Sequence, residues 1–147
     1  MKGRLSIICL TCVAFFWAQA KPARAESPGD ILIVANKGVA VDSVSVDELK
    51  AFFFKQRTSW KKGGKVVPVH AKEGSSLREA FLAKVLSMQL TQEIAFWQEQ
   101  KIRKGISAPP EFSNTLKAVF KIKGSLSYVF RKDFKEGVVK VILVLPN

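Results

Sequence analysis

The chain is 147 residues long, enough for one compact domain and too short for two domains of ordinary size. Hydrophobic residues make up 48% and charged residues 24%, with 11 Phe and 3 Trp, which excludes a disordered chain and supports a packed core. Lys and Arg number 24 against 12 Asp and Glu, a formal net charge of +12, which favours acidic partners such as nucleic acid, anionic lipid or small anions.

The first element is a segment for export. Met1–Arg4 is cationic, Leu5–Trp17 is apolar, and Ala23 and Ala25 are the small residues of a cleavage site before Glu26. Cleavage after Ala20, where Ala18-Gln19-Ala20 has the same form, is the alternative. The apolar run is shorter than the roughly 20 residues of a membrane span, so residues 1–25 read as a signal peptide and residues 26–147 as one mature domain without a transmembrane segment. Both cysteines, Cys9 and Cys12, fall in the removed part, which leaves the mature chain no thiol, no disulfide and no Cys-ligated metal. Removal takes Lys2, Arg4, Lys21 and Arg24 and no acid, leaving 20 basic residues against 12 acidic, a net +8. In a periplasmic space nucleic acid is not the expected partner, and the charge reads as attraction to anions, anionic lipid or acidic proteins.

Ile31–Ala35 is a continuous apolar, β-branched run, the pattern of a strand buried on both faces. Ser45 and Glu48 stand at capping-box spacing before a short amphipathic helix through Leu49, Phe52 and Phe53, and the Phe52–Phe54 triplet reads as core. A loop over residues 58–64 leads to a second strand, Lys65–Val69, whose Pro68 argues for an edge. After the Glu73–Ser76 turn a helix is expected from Leu77 to about Leu86, with Ser76 as cap and Glu79 as its reciprocal partner. Thr91 is expected to cap the next helix, which Gly105 ends, and Ser113 to start another, which Gly124 stops. Ser125–Phe130 and Val138–Leu145 read as strands. The order predicts an α/β three-layer sandwich around a small mixed sheet.

The constellation most informative for chemistry runs from Val69 to Arg78. A Gly/Ser turn opening a helix offers unpaired N–H groups at the positive end of the helix dipole, a seat for phosphate, sulfate or carboxylate. Glu73, Gly74, Ser75, Ser76 and Arg78 are the candidate ligand-binding residues, with Arg78 adding a charge-assisted bond and Lys72 a point charge. His70, the one histidine, reads as an ordinary strand residue: a zinc site and a nucleophilic triad both lack parts, so no metal, no cofactor and no catalytic residue is expected. Lys101, Arg103, Lys104, Lys117, Lys121 and Lys123 cluster near helix ends and read as solvated faces. Trp60 and Trp97 read as core or partly buried residues.

Several segments in order, Phe54–Trp60, Gly63–Val69, Glu73–Arg78 with Phe81, Phe96-Trp97, Ser107–Pro110 and Lys123–Val129, resemble the phosphate-type substrate-binding proteins of ABC transporters. The resemblance covers most of the mature chain and is similar in particular to short stand-alone members that match one lobe of the two-lobed, type II periplasmic binding fold. It implies that Glu73–Leu77 stands where the family's Asp-Gly-Ser-Gly-Thr turn grips phosphate, Ser75 matching the serine, Ser76 the second glycine, Leu77 the threonine and Glu73 the aspartate. The family's phosphate-gripping arginine falls on Ala71, so the pocket is depleted.

The resulting expectation is a periplasmic solute-binding-like module that recognises phosphate or a similar small anion weakly and is linked to phosphate ABC transport. A single lobe leaves half of its ligand in water, where ionic contacts are screened, unless an envelope protein or a second copy completes the cleft. The alternative is an adaptor that binds no solute and docks acidic partners through its basic helices.

Overall fold

The computed structural model describes residues 29–147; the expected export segment and cleavage sites, with Cys9 and Cys12, lie outside the described residues. Along the chain the elements are β1 (Ile31–Ala35), α1 (Val46–Phe53), β2 (Val67–Pro68), β3 (His70–Ala71), α2 (Ser76–Phe81), a π-helical turn over Leu82–Leu86, α3 (Leu90–Lys104), β4 (Glu111–Phe112), α4 (Thr115–Lys121), β5 (Ser125–Phe130), a 3-10 turn over Arg131–Asp133, and β6 (Lys140–Leu145).

The apolar run of β1 does what its pattern demands. All five residues are buried, and the strand lies inside a four-stranded sheet of order β2-β5-β1-β6. It pairs antiparallel with β5, Ile31 opposite Phe130, and with β6, Ile31 opposite Leu145, with a bulge between Ile33 and Val34 on the β6 side. The edge strand β2 joins β5 in parallel, so the sheet is mixed and Pro68, which has no N–H to donate, sits where the ladder ends. Because side chains alternate along a strand, Ile31, Ile33 and Ala35 face one cluster, shared with Leu49, Phe52 and Phe53 of α1 and Phe81 of α2, while Leu32 and Val34 face another, with Val119 of α4. The sheet is thus the middle of three layers.

Local chemistry sets the helix starts. Ser45 and Glu48 form the expected reciprocal box, at 3.1 and 3.2 Å. The other three starts differ from expectation. Ser75, not Ser76, caps α2: its Oγ accepts the Arg78 N–H at 3.3 Å and donates to the Lys72 carbonyl at 2.7 Å, which ties the turn to the helix. The helix extends to Leu86 only by widening into a π-turn, which Ser87 closes at φ +55°. Gln89 precedes α3 where Thr91 was expected, because the Gln92 side chain reaches back to accept the Gln89 N–H at 2.8 Å. Asn114 caps α4 where Ser113 was expected, its side chain accepting the Lys117 N–H at 2.9 Å.

The expected strand Lys65–Val69 is shorter, and the chain regains pairing at β3, which runs parallel to β4. Position 124 admits only glycine: φ is +75°, and a Cβ there would lie 2.3 Å from the Lys65 carbonyl oxygen. The Trp60 indole donates to the Gly124 carbonyl at 3.1 Å, so this close approach locks the β2 entry against the start of β5.

Candidate functional site

Five polar side chains from five elements, His70 of β3, Arg78 of α2, Glu93 of α3, Glu111 of β4 and Tyr128 of β5, meet on one side of the sheet. Phe81 stacks on Tyr128 at 3.8 Å, and Phe53 packs at a tilt on both Phe81 and His70, an aromatic wall that excludes water from the polar cluster behind it. His70 and Tyr128 are 0% exposed and Glu93 1%. His70 Nδ1 lies 2.9 Å from the Tyr128 hydroxyl, which also accepts the Ala71 N–H at 3.1 Å. His70 Nε2 lies 3.0 Å from one Glu93 oxygen, and Arg78 donates through Nε and Nη2 to the other, both at 3.1 Å. Arg78 Nη1 donates to Glu111 at 2.8 Å and to the Ala71 carbonyl at 3.2 Å.

One protonation pattern satisfies these groups. Burial lowers the His70 pKa against the opposing pull of Glu93, so the ring is neutral. Burial pushes the Glu93 carboxyl up, but the hydrogen bonds and charges of His70 and Arg78 outweigh it and hold the group below its ordinary range. Glu93 is therefore a carboxylate, an acceptor only, and one of its oxygens faces the protonated Nε2 of the neutral His70 ring at 3.0 Å. Nδ1 is then the acceptor for the Tyr128 hydroxyl, whose pKa burial drives well above its ordinary value. Ala71 N–H, Tyr128 and His70 Nδ1 are linked by hydrogen bonds and Arg78 holds one Glu93 oxygen, while His70 Nε2 and the other Glu93 oxygen face each other at 3.0 Å without an aligned hydrogen bond.

On its outer side this cluster forms one wall of a groove of about 420 Å³, lined among others by Glu73, Arg78, Glu93, Trp97, Lys101 and Glu111. The far wall is the segment from Ser107 to Glu111. Lys55 holds that segment through the Ser107 carbonyl at 2.7 Å, and the His70 N–H holds the Pro110 carbonyl at 2.8 Å. Burial lowers the Lys55 pKa, helped by the charge of Lys65. Three carboxylates against Arg78 and Lys101 give the lining a net charge near −1.

The structure brings Glu73 and Arg78 to this groove; Gly74, Ser75 and Ser76 do not line it. Gly74 takes φ +75°, the left-handed conformation that turns the chain into α2. Ser75 is engaged as the cap. Ser76 and Lys72 are exposed. Arg78, expected to meet a ligand directly, has only 6% of its side chain exposed and is held by Glu93 and Glu111. Trp60 and Trp97 are buried, as expected.

Sequence reasoning read His70 as an ordinary strand residue and passed over Glu93, Glu111 and Tyr128. One signal was present: Glu93 stands four residues before Trp97 on α3, an acid on the buried stripe of a helix, where it needs a partner. Among the described residues no group of three or more His, Cys, Asp or Glu is placed to hold a metal ion, and no helix is long and apolar enough to cross a membrane.

No family model matches the chain, and no curated protein matches it. Solved structures do. An ABC-type phosphate transport receptor from Vibrio cholerae matches with TM-score 0.59 at 16% identity, over 76% of this chain and 44% of the receptor. A putative phosphate ABC transporter substrate-binding protein with bound phosphate from Clostridium perfringens matches with TM-score 0.55 at 18% identity, over 76% and 43%. PstS from Borrelia burgdorferi matches with TM-score 0.57 at 9% identity, over 76% and 46%. The chain therefore spans less than half the length of these proteins. At such identities the likeness establishes the fold: a mixed α/β domain equivalent to one part of a phosphate receptor.

Proposed function

We propose that the chain is an exported, periplasmic solute-binding-like module that recognises phosphate or a similar small anion weakly, at the turn from Glu73 to Ser76, and works beside phosphate ABC transport. The observation that carries this reading is the state of the donors at the start of α2. Among the described residues the N–H groups of Gly74, Ser76 and Leu77 and the Ser76 hydroxyl have no acceptor, and Lys72 stands exposed beside them. Such donors at the positive end of a helix suit an oxyanion.

Two features keep the affinity low. The guanidinium of Arg78 is engaged by Glu93 and Glu111, and the adjoining groove carries a negative balance. A single lobe also leaves the ligand's other side in water, where contacts are screened. Affinity for phosphate is expected in the millimolar range, about −4 kcal/mol.

Calorimetric titration of the mature protein with phosphate tests the number, and Ser76→Ala tests the place. Weakening by Ser76→Ala supports the reading; no heat at tens of millimolar phosphate, or binding indifferent to the substitution, rejects it. Intact mass of the exported protein tests the leader: a species beginning at Glu26 is expected, and one retaining residues 1–20 rejects export with cleavage.

A further inference from the structure

The geometry points to a second binding site, apart from the turn at Glu73–Ser76: a slot at the open edge of the sheet that takes a small amphipathic anion, an apolar body carrying one carboxylate. The slot has a volume of about 360 Å³ and is walled by Phe52, Val67, Pro68 and Pro110. Lys55, Arg57 and Lys65 line it as well. Pro110 also borders the groove of Arg78 and Glu111, which is lined by three carboxylates, whereas no carboxylate lines the slot.

The opening has its cause in the strand. On the outer edge of β2 the Val66 N–H bonds the Thr58 carbonyl at 2.8 Å, and beyond it the His70 N–H bonds the Pro110 carbonyl at 2.8 Å. Between these two ties stands Pro68, which has no N–H, so the edge stays open there without leaving a donor unsatisfied. An added strand would find no ladder at this point, whereas an apolar group finds Phe52, Val67 and the two prolines. Phe52 is held by the Trp60 ring at 5.1 Å and the Arg57 guanidinium at 5.7 Å, which fixes that wall in place.

Charge selects the other end of the ligand. Among the described residues neither Lys55 nor Lys65 is paired with a carboxylate, and Arg57 shares its partner, Glu48, with Lys61. Lys55 stands at φ +55°, a left-handed conformation that a lysine rarely takes, and its Nζ reaches the Ser107 carbonyl at 2.7 Å. A carbonyl meets that ammonium's need for a hydrogen bond and leaves its charge unopposed. Burial, and after it the charge of Lys65, lowers the Lys55 pKa, as expected of two cations with no anion between them. An anion at the mouth relieves that repulsion, and the apolar walls require that it carry a hydrocarbon body. Inorganic phosphate offers the charge alone.

The test is an NMR titration of the 15N-labelled protein with phenylpropionate, with its neutral isostere phenylpropanol, and with inorganic phosphate. Phenylpropionate is expected to shift the amides of Thr58, Lys65 and Val67 with a midpoint of about a millimolar, the range its size permits. Phenylpropanol should bind roughly tenfold more weakly. Lys65→Gln, a change at an exposed side chain, should weaken phenylpropionate roughly threefold and leave phenylpropanol unchanged. Phosphate should leave these three amides near their free positions. Equal affinity for the acid and the alcohol, or indifference of phenylpropionate to Lys65→Gln, overturns recognition of the anion. Phenylpropionate shifts confined to Gly74–Leu77 overturn the slot and place the carboxylate on the turn. No shift at Thr58, Lys65 and Val67 up to about 20 mM overturns the slot as well, and the phosphate reading of the turn is then judged on its own titration.

Discussion

The inner wall of the groove beside α2 and the turn that leads into α2 are built on opposite principles. On the inner wall His70, Arg78, Glu93 and Tyr128 are nearly wholly buried and face one another at hydrogen-bond or ion-pair distance. On the outer turn, from Lys72 to Ser76, the side chains are largely exposed and main-chain donors stay open. The charges that look most suited to gripping a ligand are thus committed to holding β3, β5, α2 and α3 together, and the groups left for recognition are backbone amides and a hydroxyl. A buried charge is kept only with its partners, while an amide in water can wait for a ligand at little cost.

The largest effect expected from breaking the inner wall comes from Glu93→Ala. It takes from His70 its facing carboxylate and from Arg78 the buried one of its two, leaving the guanidinium only Glu111 and the Ala71 carbonyl, a loss of about 3 kcal/mol. Urea unfolding measures it; a loss below about 1 kcal/mol would mean that water reaches Arg78 and the wall is not sealed. Tyr128→Phe is next. It keeps the stack on Phe81 and removes one oxygen, orphaning the Ala71 N–H and His70 Nδ1, for about 1–3 kcal/mol by the same measurement.

Acid gives a third test. His70 and Glu93 both have folded-state pKa values below their ordinary 6.5 and 4.5, so the unfolded chain binds protons more readily than the folded one. Their contribution is complete above those ordinary values and is lost as pH falls towards the folded ones. The urea midpoint should therefore drop between pH 7.5 and 5.5, and His70→Gln should flatten that drop. Tyr128 has the reverse sign, its stabilisation fading as pH rises past 10. A wild-type midpoint flat from pH 7.5 to 5.5 would contradict a neutral buried His70.

The smallest effect separates the two serines of the turn. Ser75→Ala removes the helix cap and should cost about 1 kcal/mol of stability, whereas Ser76→Ala should stay within about 0.5 kcal/mol. The ordering reverses for phosphate, where Ser76 is the serine expected to matter. Equal stability losses would place the cap elsewhere.

The legible parts of this protein are those governed by near neighbours. The unbroken run Ile31–Ala35 announces a central strand, Ser45 with Glu48 announces α1, and Ser125–Phe130 is read to the residue. Caps shift where two candidates compete within a residue or two, as at Ser75 against Ser76, since the bond from Ser75 to the Lys72 carbonyl decides and depends on the turn already made. The pairing of β3 with β4 was missed because each strand is two residues long, too short for any periodicity. The inner wall was missed for a deeper reason: His70, Arg78, Glu93 and Glu111 are spread over 42 positions of chain and become one cluster only when α2, α3 and the Ser107–Glu111 segment fold onto β5.

The position of β1 in the sheet also governs how this chain can acquire its structure in time. Its partners are the last two strands: Ile31 meets Phe130 and Leu145, nearly the whole described length away. Closing loops of that size is entropically costly before any ladder bond rewards it, and high contact order slows folding. The helices can flicker into being early from their own caps, but the sheet has no centre until the C-terminal residues arrive. A fragment ending before Ser125 would leave β1 with neither neighbour, so folding should proceed as one late, cooperative event in which the first strand is the last to be satisfied.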